Sequence, residues 1–286
     1  VFVFFFLIFI LTIKLLKFLK QGILILGTSL IICIFLFFKT YSLFGYTKVD
    51  LIFKEDYLFF PLAISFYVFQ MIGGLIDVSR DKSGKLYNSN IYFLFFVFFP
   101  QLVAGPICRI KNLIPQFLTK RSFKKNNILI GTNLIFIGLF KKICIADNLH
   151  IFTDEVWSSP EKFSSSTVWL ALFAYYIQFY ADFSGYTDIG RGIARQLGIR
   201  IPINFTNPYF ANNAVDFFKR WHISLSLWIR DYLFNPVYIF ALRKYNQYHK
   251  LIFLSLSFAT LFIFGIWHGN SPRIIIYGLI WGWMLL

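Results

Sequence analysis

Four histidines stand in a strongly apolar chain, and two of them sit where they could move a proton. His268 lies in Gly265-Ile-Trp-His-Gly-Asn-Ser-Pro272, directly after the apolar run 251–267. The flanking glycines admit a close neighbour, and Pro272 stops a helix from continuing unchanged. A histidine at such a helix break, between two apolar segments, is one way to build an intramembrane site. Imidazole titrates near neutrality and can take a proton from a hydroxyl or thiol. The same residues also read as a Trp-His pair resting at head-group level.

His222 lies in Asp216-Phe-Phe-Lys-Arg-Trp-His-Ile-Ser-Leu-Ser-Leu-Trp-Ile-Arg-Asp231. Helical spacing there predicts one amphipathic helix in the head-group region, with Trp221, Leu225, Trp228 and Tyr232 on one stripe and His222 and Ser226 on another side. Asp216 and Arg220 are spaced to pair at i,i+4. His222 is then either functional or an ordinary interfacial histidine. His150 and His249 fall in polar stretches and read as solvated.

A third cluster, Asp182-Phe-Ser-Gly-Tyr-Thr-Asp188, follows an apolar run. Its carboxylates and hydroxyls would cost roughly several kcal/mol if buried without partners. It is either a polar site or an interfacial turn around Gly185 with Asp182 as a helix cap. Cys33, Cys108 and Cys144 are far apart and lack CxxC or Cys/His ligand spacing, so neither a disulfide framework nor a metal site is expected. They read as small packing residues.

The elements that must position these groups are apolar. Of 286 residues, 58% are hydrophobic, 22% are aromatic and only 14% are charged, with a mean hydropathy of +0.65. That leaves too few polar residues to cover a soluble domain of this size. About eight apolar stretches occur, near 1–13, 22–38, 58–76, 91–107, 127–140, 166–181, 251–267 and 274–286. Several approach the ~20 residues that cross a bilayer, and the shorter ones would tilt, re-enter or thin it. The expectation is an all-α polytopic membrane protein, one domain over residues 1–286. Residues 182–250 are polar, carry Pro202, Pro208 and Pro236, and are bracketed by apolar runs. A re-entrant or interfacial segment lining a cavity is expected there, since non-helical backbone at membrane depth needs such cover. The chain starts at Val1 without methionine, has no small-residue cleavage site after its first apolar run, and stops inside another. That predicts a fragment and argues against a signal peptide.

The formal net charge is +15, but the bases lie in short clusters between apolar runs. This suits orientation by cytoplasmic charge and contact with anionic lipids, and excludes nucleic acid as a partner. Cys108–Asn127 carries Arg109, Lys111, Lys120, Arg121, Lys124 and Lys125 and no acid, whereas Asp147–Lys162 is acidic. The first is expected in the cytoplasm and the second outside, with Arg191, Arg195 and Arg200 returning inward. Lys141 and Lys142 resist this scheme, because they interrupt the intervening span near its outer end.

Taken in order, the chain resembles the membrane-bound O-acyltransferase family, in particular its bacterial branch that includes alginate O-acetyltransferase. The matching stretches are Ile64-Ser-Phe-Tyr-Val-Phe-Gln70 with Leu75-Ile-Asp-Val78, Phe99-Pro-Gln-Leu-Val-Ala-Gly-Pro-Ile-Cys-Arg109, and Phe140-Lys-Lys-Ile-Cys-Ile-Ala-Asp-Asn-Leu149. They continue with Tyr180-Ala-Asp-Phe-Ser-Gly-Tyr-Thr-Asp-Ile189, Pro202-Ile-Asn-Phe-Thr-Asn-Pro-Tyr209, Phe218-Lys-Arg-Trp-His-Ile-Ser-Leu-Ser226, Arg230-Asp-Tyr-Leu233 and Gly265-Ile-Trp-His-Gly269. The resemblance covers about residues 60–282, and the chain departs from it at Pro236-Val-Tyr-Ile-Phe-Ala and at Ser271-Pro272-Arg273.

What the resemblance implies is a helical bundle with re-entrant or interfacial helices around a central channel, in the bacterial inner membrane. Its activity would be transfer of an acyl group, acetyl above all, from a cytoplasmic thioester such as acetyl-CoA to hydroxyls of an extracytoplasmic polysaccharide or cell-wall polymer. Alginate biosynthesis is one setting. His268 of the Trp-His-Gly motif and His222 of the Arg-Trp-His motif become the catalytic pair. Ser224, Ser226, Asn204 and Asn270 become candidate oxyanion donors, Lys219 and Arg220 candidate partners of the donor's phosphates, and Asp182 a further candidate binding residue. No bound cofactor or metal is implied. A separate extracytoplasmic acetyltransferase or esterase-like protein is the expected partner, with anionic lipid around the bundle. A transporter or flippase for a lipid-linked sugar is the rival reading, since broken helices and buried charges mark those as well. A purely structural membrane subunit is a third.

Overall fold

Phe-, Ile- and Leu-rich runs divided by short polar breaks fold as helices, and no strand occurs among the described residues. The computed structural model describes residues 2–16, 20–43, 64–81, 86–102, 105–122, 124–268, 276, 279 and 280, with backbone alone at 20–21, 38–43, 264 and 266–268. In chain order the helices are α1 (Phe2–Leu15), α2 (Lys20–Leu43), α3 (Ile64–Arg80), α4 (Ser89–Val97), α5 (Ile110–Leu118) and α6 (Lys125–Leu139). Then follow α7 (Asp147–Ser158), α8 (Ser165–Gln196), α9 (Ala214–Arg220), α10 (Ile223–Ile229), α11 (Asn235–Lys244) and α12 (His249–His268). The chain divides into two compact units, Tyr87–Asn204 and Val1–Leu86 with Phe205–Leu286.

In the unit Tyr87–Asn204, α6 and α7 are one rod, joined without a break by a π-helical segment, Phe140–Ala146. Among the described residues this rod, Lys125–Ser158, is the one helix long and apolar enough to cross a membrane. Its partner is α8, which runs antiparallel to it. A Cβ on Gly131 would lie 2.6 Å from the Gly192 carbonyl oxygen, and one on Gly138 would lie 2.6 Å from that of Gly185. The reverse distances, 2.6 Å from Gly192 to the Gly131 oxygen and 2.7 Å from Gly185 to that of Gly138, are as short. Glycine at these four positions lets the two backbones touch, the form of helix contact that works where lipid removes any hydrophobic drive. Gly131 and Gly138 are the buried residues of α6, while Leu129, Phe136, Ile137 and, just beyond it, Phe140 are exposed. That is a helix turned apolar side out, as a lipid-facing rod requires.

The unit Val1–Leu86 with Phe205–Leu286 has a different interior. Phe5, Phe9 and Ile13 of α1, Ile31 of α2, and Met71 and Leu75 of α3 are almost fully buried. Helix α10 meets α3 at Gly73, where a Cβ would lie 2.8 Å from the Trp228 indole nitrogen. That nitrogen donates to the Phe69 carbonyl over 2.9 Å, and the Trp228 ring stands edge-on to Phe69 at 4.7 Å. A second π-helical segment, Arg230–Phe234, leads from α10 into α11.

Three expectations change. Residues 182–188 are no interfacial turn, because they lie in the interior of α8, and Gly185 is there to admit α6. Residues 216–231 do not form one amphipathic helix but two short helices separated at Trp221–His222 and ended by a π-segment. Residues 182–250 are largely helical, with irregular backbone confined to short stretches such as the one between α8 and α9. Of the cysteines, Cys108 alone is buried, and Cys33 and Cys144 are exposed on their helices.

Candidate functional site

The candidate site is built from the junction of α9 and α10. Asn213 caps α9 by accepting from the Asp216 amide at 2.8 Å, and the Asp216 carboxylate accepts from the Asn212 amide at 3.1 Å. The same carboxylate takes the Arg220 Nε–H at 3.0 Å, the i,i+4 pair expected from spacing. Arg220 beside it, with the Asn212 amide, holds the Asp216 carboxyl below the usual carboxylate range.

Helix α9 stops because tertiary contacts seize the next residue. The Trp221 ring stacks on Phe217 at 5.6 Å, meets Phe205 edge-on at 4.9 Å, and lies 6.3 Å from Tyr209. Its amide still closes onto the Phe217 carbonyl at 2.8 Å, while the Thr206 amide binds the Arg220 carbonyl at 3.0 Å. His222 then turns the chain with φ 43° and ψ 52°, left-handed geometry that costs a residue with a Cβ roughly 1 kcal/mol. Its carbonyl accepts from the amides of Leu225 and Ser226 at 3.0 and 3.1 Å, which starts α10. The His222 side chain is 8% exposed.

Of the other residues singled out in the sequence, Ser224 is buried, and Ser226 Oγ donates to the Trp221 carbonyl at 3.4 Å. Lys219 is exposed on α9. Asn204, buried, and Asp182 belong to the other unit. His268 is the final residue of α12, which carries helical backbone through the buried Gly265. The His268 side chain, Asn270 and Pro272 lie outside the described residues. His150 is exposed, with its Nδ1 3.3 Å from Gln178 Nε2, and His249 is exposed at the start of α12. No cluster of three metal-ligating side chains occurs among the described residues.

The polar groups that seemed anomalous on the Lys125–Ser158 rod and α8 find one another. Lys141 Nζ reaches Asp188 at 2.7 Å, and Asp188 also accepts from Arg191 at 2.9 Å. Lys142 Nζ bridges Asp182 at 2.7 Å and Asp147 at 2.8 Å. In a π-turn consecutive side chains diverge less in direction than in an α-turn, so Lys141 and Lys142 can both serve α8. These lysines are therefore the counter-ions of the Asp182–Asp188 segment, and Asp182 is committed to an ion pair. Spacing along the chain held no sign of this, because each lysine pairs with an α8 carboxylate forty or more positions away.

Residues 5–286 match the membrane-bound O-acyltransferase family, well beyond the stretches whose motifs carry the resemblance. Peptidoglycan O-acetyltransferase of Helicobacter pylori is 36% identical over 92% of the chain and 54% of its own length. A probable alginate O-acetylase of Pseudomonas putida is 34% identical over 90% of the chain and 53% of its own. Teichoic acid D-alanyltransferase of Bacillus subtilis is 32% identical over 76% of the chain and 56% of its own. The chain thus spans about half the length of the curated relatives it matches. A match running from α1 through α12, with the Arg-Trp-His junction inside it, makes the chain a member of the membrane-bound O-acyltransferase family.

Proposed function

We propose that the chain is part of a multi-pass membrane acyltransferase of the bacterial inner membrane. It passes an acyl group, acetyl in the first instance, from a cytoplasmic thioester to hydroxyls of an extracytoplasmic polysaccharide or cell-wall polymer. Support comes from the family match and from relatives whose names specify acyl transfer to alginate, peptidoglycan or teichoic acid. The two relatives of higher identity are named for O-acetyl transfer, which favours acetyl over an aminoacyl group. The observation that carries the reading is His222, a buried histidine held in left-handed backbone between two helices. Strained, over-determined backbone of this kind gathers at working sites.

In the proposed reaction His268 takes the proton of the acceptor hydroxyl as its oxygen attacks the thioester carbonyl. The tetrahedral oxyanion is held by hydrogen-bond donors, for which Ser224 and Asn270 are candidates. Collapse breaks the C–S bond, the departing sulfur takes the proton back from His268 and leaves as a thiol, and an ester remains on the acceptor. His222 is the second histidine of the reaction. Ser226 is the weaker donor candidate, because its hydroxyl is spent on the Trp221 carbonyl. The proposed donor is acetyl-CoA or another acyl thioester, and a separate extracytoplasmic transferase or esterase-like protein is the proposed partner.

The test places His268→Ala and His222→Ala separately in the complete protein and measures acylation of the exported polymer alongside membrane insertion. The expected result is normal insertion, abolished transfer for His268→Ala and severe loss for His222→Ala. Polymer acylation retained by His268→Ala would falsify the assignment. Substrate movement that persists without any acyl thioester would favour a transporter instead.

A further inference from the structure

At the end of the unit Tyr87–Asn204 where α6 begins and α8 ends, a groove of about 390 Å³ is lined by Lys120, Arg121, Lys124, Arg195 and Arg200. No carboxylate lines it, and none among the described residues pairs with these five cations. A run of bases in one loop is usually a solvated face, but this groove differs in three respects.

Its cations come from two separate segments, the α5–α6 connection and the end of α8 with the residues after it. Those segments are latched together. Gln116 donates to the Arg200 carbonyl and accepts from the Arg200 amide, each at 2.9 Å. Arg121 donates to the Leu197 carbonyl at 3.1 Å and to that of Gln116. The latch passes Gly198, whose φ of +73° suits glycine. Like charges are therefore held together by the latch, a repulsion that a bound anion would relieve.

Arg195 adds a second observation. Its Nε is shielded from solvent and has no hydrogen-bond partner among the described residues. A shielded guanidinium N–H without an acceptor favours a ligand oxygen that can satisfy it. Asn126 and Asn127, in the first turn of α6, complete the wall with amide side chains beside the positive end of a helix fifteen residues long. The volume is within the range of sites that hold a small organic anion rather than a lone ion.

We infer that this groove binds a phosphate-bearing anion, a phosphomonoester or diphosphate group, presented either by a lipid head group or by a soluble phosphate ester. Guanidinium and ammonium groups converging on one concave site are the chemistry that recognises phosphate oxygens. The inference does not depend on acyl transfer.

The test uses the full chain in nanodiscs of phosphatidylcholine alone, titrated with inorganic pyrophosphate by calorimetry, and again in nanodiscs containing phosphatidylglycerol. The wild type is expected to bind pyrophosphate, and Lys124→Gln combined with Arg200→Gln to bind it about tenfold or more weakly. Both side chains are exposed, and the bonds that Arg200 makes to Gln116 are through its backbone, so the double variant keeps the latch. Lys111→Gln, an exposed base outside the groove, is expected to leave binding unchanged. Loss of pyrophosphate binding in the phosphatidylglycerol discs identifies the source as a lipid head group, and undiminished binding identifies a soluble ester. No binding in neutral discs, equal binding by the double variant, or an equal loss with Lys111→Gln overturns the inference.

Discussion

The seam between α6 and α8 and the junction between α9 and α10 both put polar side chains into apolar surroundings, by opposite means. In the seam the backbone stays helical throughout, with both lysines on a π-helical segment, glycines bring two long helices together, and Lys141, Lys142, Asp147, Asp182, Asp188 and Arg191 all end in ion pairs. At the junction the backbone is irregular, and aromatic rings hold Trp221 so that His222 must take a left-handed turn. Charges that neutralise each other stabilise an arrangement and have little left over for a substrate. A titratable ring fixed by strain in its own backbone is stability given up for position. Chemistry-bearing residue types alone do not separate the two cases, whereas the backbone that carries them does.

The comparison is broken most severely at the glycines. Gly138→Leu is expected to cost more than about 3 kcal/mol, since neither backbone can move away without opening the whole seam. Size-exclusion profiles in detergent should show loss of the monodisperse protein, and normal yield of that variant would mean the close contact does not hold the unit. Next come the ion pairs. Asp188→Asn leaves Lys141 and Arg191 without their carboxylate and should cost roughly 2–3 kcal/mol, less than a fully buried pair because both side chains of the Lys141 pair keep some exposure. Asp182→Asn should stay within about 1 kcal/mol, because Lys142 is more exposed and keeps Asp147. Thermal midpoints of the two variants rank the pairs directly.

At the junction the expected effect is smaller and carries a signature of its own. His222→Gly should be more stable than His222→Ala by about 1 kcal/mol, because glycine relieves the left-handed cost, although both should lose transfer alike. Equal stability of the two would mean the turn is unstrained. The smallest effect concerns acid. The folded carboxyl of Asp216 titrates below its unfolded value, so its contribution is present above the unfolded pKa and is lost as pH falls through the folded one. Tryptophan fluorescence should report a weak acid transition that Asp216→Asn removes.

Much of the architecture was legible in residue patterning: the helical class, the apolar runs, the Asp216–Arg220 pair and the order of motifs. Two features were hidden for separate reasons. Gly185 beside Asp182 carries the local signs of a turn, and only the approach of Gly138 reveals that it is a contact point. The break at Trp221–His222 has neither glycine nor proline to announce it, because packing against Phe205, Tyr209 and Phe217 overrides a good helical pattern. The phosphate-type groove was visible only as separate basic segments, since nothing in the linear order joins Arg195 to Lys124.

The ion pairs of the seam also bear on how such a chain is made. Synthesis runs from the amino end, so the rod bearing Lys141 and Lys142 leaves the ribosome before the α8 carboxylates exist. A lone lysine near the middle of an inserting helix is disfavoured by about 2.5–3.5 kcal/mol. Asp147 can answer Lys142 from within the rod, but Lys141 must wait for Asp188. The rod Lys125–Ser158 therefore gains its full set of counter-ions only once α8 has been translated and has packed against it.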